Sequence, residues 1–536
     1  MNPLPLRCMG SALALFGAVC PAQTTMVRQR AVHVLDRITG GHTPDLVAQL
    51  NTFTAIDAYI TAQTQNGVVS DNFLVTALLQ QLSLPLSPTS TSIRVDLRKA
   101  LLARLIWGSD GLRNLMVHFW NRHVSIGIPM VEGFFLSQGL SQPEVDNLIN
   151  FFKWRDLDYF RLHALGSFRD LLHHSAKSPL MLVYLNLYRS SEPEPNEDYA
   201  RELLELHTMG PVDGTGAANY SQADIQLVSE VLAGWTVQKD PVTLDWNWVF
   251  DVSRHNPTQR HLFVGTPHEV ILAQPPAGQE YLQGEALLDH LAGATATKEF
   301  VCRKLLRYFL ADDAPAQEPL LLAACVNAWG SAGDIQAVLQ TLLQSSVFKG
   351  DKYRRARARL PVEFVCALPR ALDAKPYYPP PLNPPRVSHL AVPEDLLMKM
   401  GEDLLSHPTP DGFPTESDEQ TGSGAYVASV KYARRILDGL ALAYAFDPVY
   451  DLATVVGNEL LPGESPNSPN DVARAMMSIL FGRSTPQADR DRIRDVISKN
   501  GSNVSTPLNV GNPADYQERL ARGFALGASF ATNLAR

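Results

Sequence analysis

The stretch PNEDYARELLELHTMG concentrates side chains that can transfer protons or hold a cation. Five of them lie within ten residues: Asp198, Arg201, Glu202, Glu205 and His207. Paired carboxylates can divide the roles of acid and base between them, and carboxylate oxygens are also ligands for hard divalent cations. The same composition is equally typical of the solvated side of an ordinary helix. The structural elements that carry these residues decide between the two interpretations.

The local sequence predicts that one helix carries the whole motif, from about Glu197 to Met209. Asn196 is a favourable N-cap residue, and the acids that follow it stand in the first turn, where the helix dipole favours them. Gly210 is a natural C-terminal stop. At about 100° per residue, the aspartate and the two later glutamates share one face, and the tyrosine and the leucines form the other.

His207 falls in the middle of the apolar face, so we expect a buried histidine that is hydrogen-bonded in the core. This geometry argues against a metal site built from His207 and the two glutamates of one helix. For Glu202 and Glu205, one interpretation is a solvated face with an Arg201–Glu205 ion pair at i,i+4 spacing. The other is that a second element covers this face. Two partly buried carboxylates beside an arginine would then do acid–base chemistry or bind a divalent cation.

Other candidates lie elsewhere in the chain. His123, in HFWNRHVSIG, precedes a predicted helix end, which suits a pocket or a buried cap, and His118 points about 140° away from it. Asp251 lies four residues before His255 in FDVSRHN, where a loop can aim both inwards or simply form a hairpin turn. Trp235 is expected to line the core or a pocket wall. We hypothesise that the polar clusters converge on one site, which would hold His123, Asn196, Glu197, Arg201, Glu202, Glu205, Asp251 and His255.

Hydrophobic periodicity predicts a mainly α protein, a large multi-helix globular domain with one small β-hairpin insertion. Segments such as RKALLARLIW, EVDNLINFFKW and VARAMMSILF carry apolar residues at three- and four-residue spacing. Strand signals are rare. The best is DWNWVFDV, Asp245 to Val252, which we expect to pair with HLFVG at His261 to Gly265.

The chain divides into four predicted parts. Residues 1–22 look like a cleaved export signal with an apolar stretch too short to span a bilayer; lipid anchoring at Cys20 and a retained anchor are the alternatives. Residues 23–372 form the helical core with the motif and the hairpin. Residues 373–393 are proline-rich and form a strap or a domain linker. Residues 394–536 form a C-terminal helical part packed on the same core.

Composition and missing motifs exclude several classes of protein. The 536 residues carry a net charge of −9 and no long basic tract, so nucleic-acid binding is not expected. No stretch after the leader is long and apolar enough for a membrane span. No phosphate-binding loop, dinucleotide fingerprint, nucleophile elbow or HExxH motif occurs in the sequence. Three cysteines stand in apolar contexts after the leader, which predicts buried inert thiols: Cys302, Cys325 and Cys366.

Several of these stretches resemble the bacterial domain-of-unknown-function family 1800 (DUF1800), a group of large exported proteins. The longest match is PNEDYARELLELHTMG followed by YSQADIQLVSEVLAGWT, with Asp198 and Ala233 where the family pattern has an asparagine and a threonine. HFWNRHVSIG, KSPLMLVYLN, FDVSRHN and MGEDLLSHPTPDGFP also match, although Asn256 replaces an acid of the family pattern and the tryptophan after the last segment is missing. The resemblance runs from about Ala31 to the C-terminus. It implies export and one extended helical domain, but no reaction. It also implies candidate partners, since family members are often encoded beside exported phosphatase- or sulfatase-like proteins.

Two functions from different classes fit these observations. The first is an exported helical enzyme, of hydrolase or lyase type, acting on an envelope or extracellular polymer. Its site would combine acid–base groups or metal ligands (Glu202, Glu205, His123 and His255), an anion clamp (Arg201) and binding residues (Asn196, Glu197, Asp251 and Trp235). The second is a non-catalytic exported scaffold or binding protein whose motif is a buried structural polar network. A pocket lined by the motif favours the first, and a closed network favours the second. The sequence specifies no cofactor beyond a candidate divalent metal, and no oligomeric state.

Overall fold

A computed structural model describes residues 25–67, 69–373, 397–398, 400–412, 451–482, 486–500, 505–528 and 530. The predicted export signal lies outside these residues, and so does the proline-rich segment after Asp373. The described chain is built of helices with two small antiparallel sheets, which confirms a mainly α protein. Every helix within these ranges is too short or too polar to span a bilayer.

The helices before the motif are α1 Thr25–Ile38, α2 Pro44–Gln49, α3 Phe53–Gln63, α4 Phe73–Leu79, α5 Arg94–Trp107, α6 Gly111–His123, α7 Ile128–Ser137, α8 Gln142–His163, α9 Phe168–Lys177 and α10 Pro179–Tyr184. The motif opens with α11 Asp198–Glu202. It is followed by α12 Gln222–Leu232, α13 Leu282–Gly293, α14 Thr295–Phe309, α15 Ala314–Gln317, α16 Pro319–Ala328, α17 Ile335–Leu343, α18 Ser346–Lys349 and α19 Pro361–Ala371. The described C-terminal helices are α20 Leu452–Glu459, α21 Pro469–Phe481, α22 Gln487–Ile497 and α23 Pro513–Ala528.

Local sequence signals set where several of these helices begin and end. At the start of α12, the Ser221 amide donates to the Asp224 carboxylate over 2.8 Å, and the Asp224 amide donates back to the Ser221 hydroxyl over 3.3 Å. This reciprocal pair satisfies two backbone donors that the first turn leaves free. At the end of α21, Gly482 adopts a φ of +65°, and a Cβ there would stand 2.5 Å from Val32. Glycine therefore both ends α21 and lets it approach α1.

Every residue of α6 is buried, which places this helix at the centre of the core. α8 packs along it, and the Trp120 indole donates to the Ala164 carbonyl over 2.9 Å. The last turn of α6 carries Asn121, Arg122 and His123 into the interior. A buried polar side chain costs free energy unless it finds a partner, so these residues must be satisfied inside the protein.

The described C-terminal helices lie against the N-terminal part of the core. The His42 ring contacts the Ile479 carbonyl over 2.7 Å, and Arg355 donates to the Phe481 carbonyl over 2.6 Å. A third link is the ion pair of Arg28 with Glu459 at 2.8 Å. These contacts join residues more than a hundred positions apart in sequence.

The sequence correctly predicted where one strand lies, but it predicted the wrong partner for that strand. β2, Trp246–Phe250, lies within the predicted stretch, but its antiparallel partner is β1, Trp235–Lys239. The HLFVG segment instead contributes β3, Arg260–Leu262, which pairs with β4, Val270–Leu272. Strand β1 was not predicted because it begins within LAGWT, directly after α12, where no loop sequence marks its start. Gly234 makes that abrupt change of direction, with a φ of +90° and no room for a Cβ, which would stand 2.6 Å from the Asp251 carbonyl oxygen.

All three thiols of the described chain are buried and unpaired, as the sequence predicts. Burial raises the pKa of Cys325 and of Cys366 to about 12, and it raises the pKa of Cys302 as well. A thiol with so high a pKa carries almost no thiolate at neutral pH, so these side chains act as small apolar residues.

Candidate functional site

The motif does not form one regular helix. α11 ends at Glu202, and residues Leu203–His207 continue as a π-helical turn. The Thr208 hydroxyl donates to the Leu203 carbonyl over 2.6 Å, and the Gly210 amide reaches back to the Leu204 carbonyl over 2.9 Å. The single helix expected from Glu197 to Met209 is therefore wrong in its second half. π turns are rare within helices and are often found at functional sites.

Gly210 ends the turn as predicted, for a reason that lies outside the motif. Its φ is +73°, and a Cβ at this position would stand 2.6 Å from the Phe300 ring of α14. The end of the π turn is thus pressed against α14. Tertiary packing, which a local periodicity does not report, decides the backbone geometry here.

The first half of the motif is a hydrogen-bonded polar network that is partly exposed to solvent. Arg201 donates to Glu197 and to Gln222, each over 3.1 Å, and the Gln222 amide donates to Glu197 over 2.8 Å. Asn196 accepts from the Asp198 amide over 2.9 Å and so steadies the helix start. The predicted Arg201–Glu205 pair is wrong, because Arg201 turns towards the N-terminus and bridges to α12. Asn196, Glu197 and Arg201 therefore have structural partners.

Glu202 and Glu205 behave differently from their neighbours. Both are partly buried, and neither has a hydrogen-bond or ion-pair partner among the described residues. Burial raises the pKa of Glu202, and the nearby Glu205 carboxylate raises it further, while Arg201 acts in the opposite direction. Burial and a neighbouring carboxylate both disfavour the charged form of Glu202, which is why its pKa rises.

Three further side chains surround these carboxyl groups. Asp411 also raises the pKa of Glu202. Burial together with the Glu202 and Asp411 charges raises the pKa of Tyr184 to about 12. Burial and the Glu205 charge raise the pKa of Tyr220 to about 12. We call Glu202, Glu205 and Asp411, with the two tyrosines, the acidic cluster.

The sequence alone did not indicate Asp411, Tyr184 or Tyr220 as members of the site. The one available signal was the PTPDG segment, which matches the family pattern but has no obvious chemistry. The segment reaches the cluster because Gly412, at a φ of +74°, fits where a Cβ would stand 2.6 Å from the Ser125 hydroxyl. The Tyr184 hydroxyl donates to the Pro408 carbonyl over 3.1 Å and holds the same loop.

His207 is buried on the opposite side of the motif, away from the glutamates, as predicted. The expectation that it is hydrogen-bonded is wrong, since neither ring nitrogen has a partner among the described residues. Burial and the Lys304 charge lower the pKa of His207 to about 3. The ring is therefore neutral and serves as packing, at a centroid distance of 6.4 Å from the Tyr199 ring.

His123 supports the π turn from beneath. Its Nε2 donates to the His207 carbonyl over 3.0 Å, and its Nδ1 accepts from the Lys304 ammonium over 3.0 Å. Burial and the Lys304 charge hold the pKa of His123 well below its usual range. Burial also lowers the pKa of Lys304, to about 8. His123 thus reaches the motif as a neutral buried side chain, while His118 on the same helix contacts Glu402 over 2.7 Å instead.

The residues of the β1–β2 region have local partners of their own. His255 Nδ1 contacts the Ala233 carbonyl over 3.1 Å, and burial lowers the pKa of His255. Asp251 accepts from the Ser253 backbone and pairs with Arg254 at 2.9 Å, so it does not orient His255. Trp235 is fully buried, and its ring occupies the space beside Gly284, which makes it the core residue that the sequence predicts.

The eight hypothesised residues therefore divide into three groups. Glu202 and Glu205 belong to the acidic cluster, and His123 reaches the same turn from its buried side. Asn196, Glu197 and Arg201 hold the helix start. Asp251 and His255 have no described contact with either group. Within the described ranges, no three histidine, cysteine or acidic side chains are placed to hold a metal ion together.

Comparisons with known proteins give one match. The model of a family described as a protein of unknown function, DUF1800, matches residues 33–510. No curated protein and no solved structure matches the chain.

Proposed function

Since the chain belongs to the DUF1800 family, whose description names no activity, we propose a function from its own side chains: an acid–base enzyme of hydrolase or lyase type. Glu202 is the proton donor and Glu205 is the second carboxylate. The substrate is an envelope or extracellular polymer, which the protein meets after export. The leader-like residues 1–22 support export. An exported phosphatase- or sulfatase-like protein remains the candidate partner that the family resemblance implies.

The observation that carries this proposal is the environment of the Glu202 carboxyl group. It is partly buried, it has no partner among the described residues, and Glu205 and Asp411 raise its pKa. A general acid must hold its proton near the working pH, and a neighbouring carboxylate in a partly buried site achieves this. A structural carboxylate, in contrast, has donors around it, as Glu197 has in the same motif.

In the hydrolytic form of the reaction, the two carboxyl groups share the proton transfers. Glu202 gives its proton to the leaving oxygen as the bond to that oxygen breaks. Glu205 takes a proton from the attacking water, whose oxygen forms the new bond. A proton then returns from Glu205 to Glu202 through solvent, and the pair is restored. In the lyase form, Glu205 takes the proton from carbon, the electrons of that bond form a carbon–carbon double bond, and Glu202 protonates the leaving oxygen as its bond to carbon breaks.

In this proposal the other candidate residues position the motif and do not take part in the proton transfers. Arg201 is engaged by Glu197 and Gln222, so it orients the helix start. His123 holds the π turn through the His207 carbonyl. A second candidate function, a non-catalytic scaffold, is favoured by the hydrogen bonds that join Arg201, Glu197 and Gln222 at the start of the motif.

The test is a panel of polysaccharides, polyesters and their chromogenic analogues, offered to the full chain and to two variants. Glu202→Gln keeps the shape and removes the proton, and we expect it to lower turnover by about a hundredfold or more. Glu194→Gln is the matched control, because Glu194 is an exposed residue just before the motif. Undiminished turnover in Glu202→Gln would contradict the proposal.

A measurement without substrate separates the enzyme from the scaffold. Carbon-detected NMR of labelled glutamate gives the titration midpoint of Glu202 directly. We expect a midpoint above the usual range, which falls when Glu205 is replaced by glutamine. A midpoint in the usual range that does not respond to Glu205→Gln favours the scaffold.

A further inference from the structure

One side of α14 carries a row of basic side chains. Arg303, Lys304 and Arg307 are partly exposed, whereas Leu305 and Leu306 between them are buried. Side chains three and four residues apart on a helix are neighbours, with Cβ atoms about 5–6 Å apart. The three positive charges therefore lie close together, and their stability depends on the acids that stand beside them.

Two arginines of this region have an acid of their own. Arg303 donates through its Nε to Glu299, one turn earlier on α14, over 3.1 Å, and a second nitrogen of the same guanidinium group contacts that carboxylate too. Arg122, at the end of α6, pairs with Glu402 over 2.6 Å. The charges of Arg303 and Arg122 are therefore matched within the fold.

Lys304 and Arg307, which we call the basic pair, have no such acid. Arg307 has no hydrogen-bond or ion-pair partner among the described residues, although its Nε is buried. The Lys304 ammonium group donates to Nδ1 of the neutral His123 ring over 3.0 Å, and it lies 5.2 Å from the centre of the Phe300 ring. An ammonium group has three N–H donors and a guanidinium group has five. Most donors of the basic pair are therefore available to a ligand.

The charges that act on Lys304 have the same sign as its own. Burial lowers the pKa of Lys304 to about 8, and Arg122 and Arg307 act in the same direction. At Lys153 of α8, in contrast, two aspartates oppose the effect of burial on the pKa. Positive charges that are partly removed from water beside one another destabilise the fold unless a counter-charge is bound. A bound anion would supply that counter-charge.

The donors of the basic pair suit a particular kind of anion. Arginine presents a planar fork of N–H groups that matches two oxygens of a phosphate or carboxylate, and lysine adds a compact point charge. Two positive charges match a doubly charged oxyanion better than a chloride ion. Because both side chains are partly exposed, the anion can arrive from solvent and does not have to fit a closed cavity.

We propose that the basic pair binds a tetrahedral oxyanion, either phosphate or sulfate. Two of its oxygens accept from the Arg307 guanidinium group, and a third accepts from the Lys304 ammonium group. The oxyanion is the free ion or an ester group on a polymer, since an ester still leaves three oxygens for the basic pair. The site contains none of the residues of the acidic cluster, so it does not depend on the proposed reaction.

Calorimetry on the full chain tests the proposal with three probes: phosphate, sulfate and chloride. We expect phosphate and sulfate to bind at millimolar concentration. Chloride cannot engage the fork and the ammonium group together, so it should bind at least about tenfold more weakly. Absence of phosphate and sulfate binding, or chloride binding of equal strength, would overturn the proposal.

Two variants of the same helix locate the site. Arg307→Gln removes one charge of the basic pair and should weaken sulfate binding at least about tenfold. It removes no protein contact among the described residues, so the variant should fold. Arg303→Gln is the matched control, since Arg303 is equally exposed but is engaged by Glu299, and it should change binding by less than about threefold. Equal losses in both variants would show a general attraction by positive charge and overturn the site.

Proton uptake by the unmodified chain shows whether the anion reaches Lys304. An anion that contacts the ammonium group raises the pKa of Lys304 from about 8, so sulfate binding near pH 8 must take up a proton. His123 and His207, the titratable groups on the neighbouring elements, have pKa values far below this pH and do not contribute. Calorimetry in two buffers of different ionisation enthalpy measures the uptake. Sulfate binding without it would overturn the assignment to Lys304.

Competition distinguishes the two sources of the oxyanion. Phosphate binding is measured again in the presence of dextran sulfate, with unmodified dextran as the control. Displacement of phosphate by dextran sulfate but not by dextran would assign the site to an ester group on a polymer. Phosphate binding that both polymers leave unchanged would assign it to the free ion. Displacement by unmodified dextran as well would show that the polymer chain, and not an oxyanion, is recognised, and would overturn the proposal.

Discussion

Glu402 is fully buried and Glu202 is partly buried, and their environments shift their pKa values in opposite directions. Burial would raise the pKa of Glu402, but Arg122 and His118 lower it to about 2. At Glu202 burial raises the pKa, Glu205 and Asp411 raise it further, and Arg201 only partly opposes them. The Val362 amide also donates to Glu402 over 3.1 Å, whereas Glu202 has no donor among the described residues.

The difference distinguishes carboxyl groups that stabilise the fold from those that remain available for proton transfer. A carboxylate surrounded by donors is fixed in one protonation state over the whole physiological range. A carboxyl group pressed against other acids keeps its proton longer and can exchange it. The same contrast exists inside the motif, between Glu197 with its donors and Glu202 without them.

The largest expected effect is the loss of stability on replacing Glu402, the carboxylate that is surrounded by donors. Glu402→Gln removes the buried charge that faces Arg122 and His118, and we expect the free energy of unfolding to fall by about 3–5 kcal/mol. Urea denaturation at pH 7 measures it. Glu132→Gln, which breaks a partly exposed pair with Arg94, should cost less than about 1 kcal/mol.

The direction of the pKa shift of Glu402 predicts how the stability lost in Glu402→Gln depends on pH. Because the pKa of Glu402 is lowered on folding, its contribution is present above the pKa of the unfolded glutamate and is lost as pH falls towards 2. The stability difference between wild type and Glu402→Gln should therefore shrink between about pH 5 and pH 2. A constant difference over this interval would contradict the assignment.

An intermediate effect is expected from the loop that brings Asp411 to Glu202. Gly412→Ala forces a side chain into a φ of +74° and against the Ser125 hydroxyl, which should cost about 1–3 kcal/mol. Because the displaced loop carries Asp411 away, the NMR midpoint of Glu202 should fall towards its usual value. Gly401→Ala also has a positive φ but no close neighbour, so it should leave that midpoint unchanged.

The smallest expected effect is on the stability of the acidic cluster itself. The pKa of Glu202 is raised on folding, so its favourable contribution is present below the unfolded pKa and is lost as pH rises through the folded value. Glu202→Gln should therefore be slightly more stable than wild type at pH 8, by about 0.5 kcal/mol, and not at pH 4. Thermal unfolding at both pH values measures this. Greater stability of wild type at pH 8 would show that Glu202 has a donor in solution.

Local sequence patterns predicted the elements of this protein better than their arrangement. The helical class follows from apolar spacing, and the burial of His207 opposite the two glutamates follows from counting residues around one helix. The π turn does not follow, because Phe300 of α14 presses on Gly210 and decides the backbone there. Strand β2 was found, but its partner β1 follows a helix without a loop that would mark it.

Local sequence patterns could not predict the members of the acidic cluster, for a different reason. Asp411 lies about two hundred positions from Glu202, and a single sequence contains no signal for so distant a contact. The Arg201 pair was predicted in the wrong direction because two glutamates stand four residues away on either side. Gln222 of α12 decides between them by holding Glu197 in place.

The burial of α6 has a consequence for motion. Gly412 packs against Arg122 at the end of this helix and against Ser125 just after it, and His123, the last helical residue, holds the π turn. Backbone amides in so buried a helix exchange with deuterium only when the whole domain opens. We therefore expect the helix on which the acidic cluster rests to exchange slowly, and to hold the base of the cluster in place while substrate is bound.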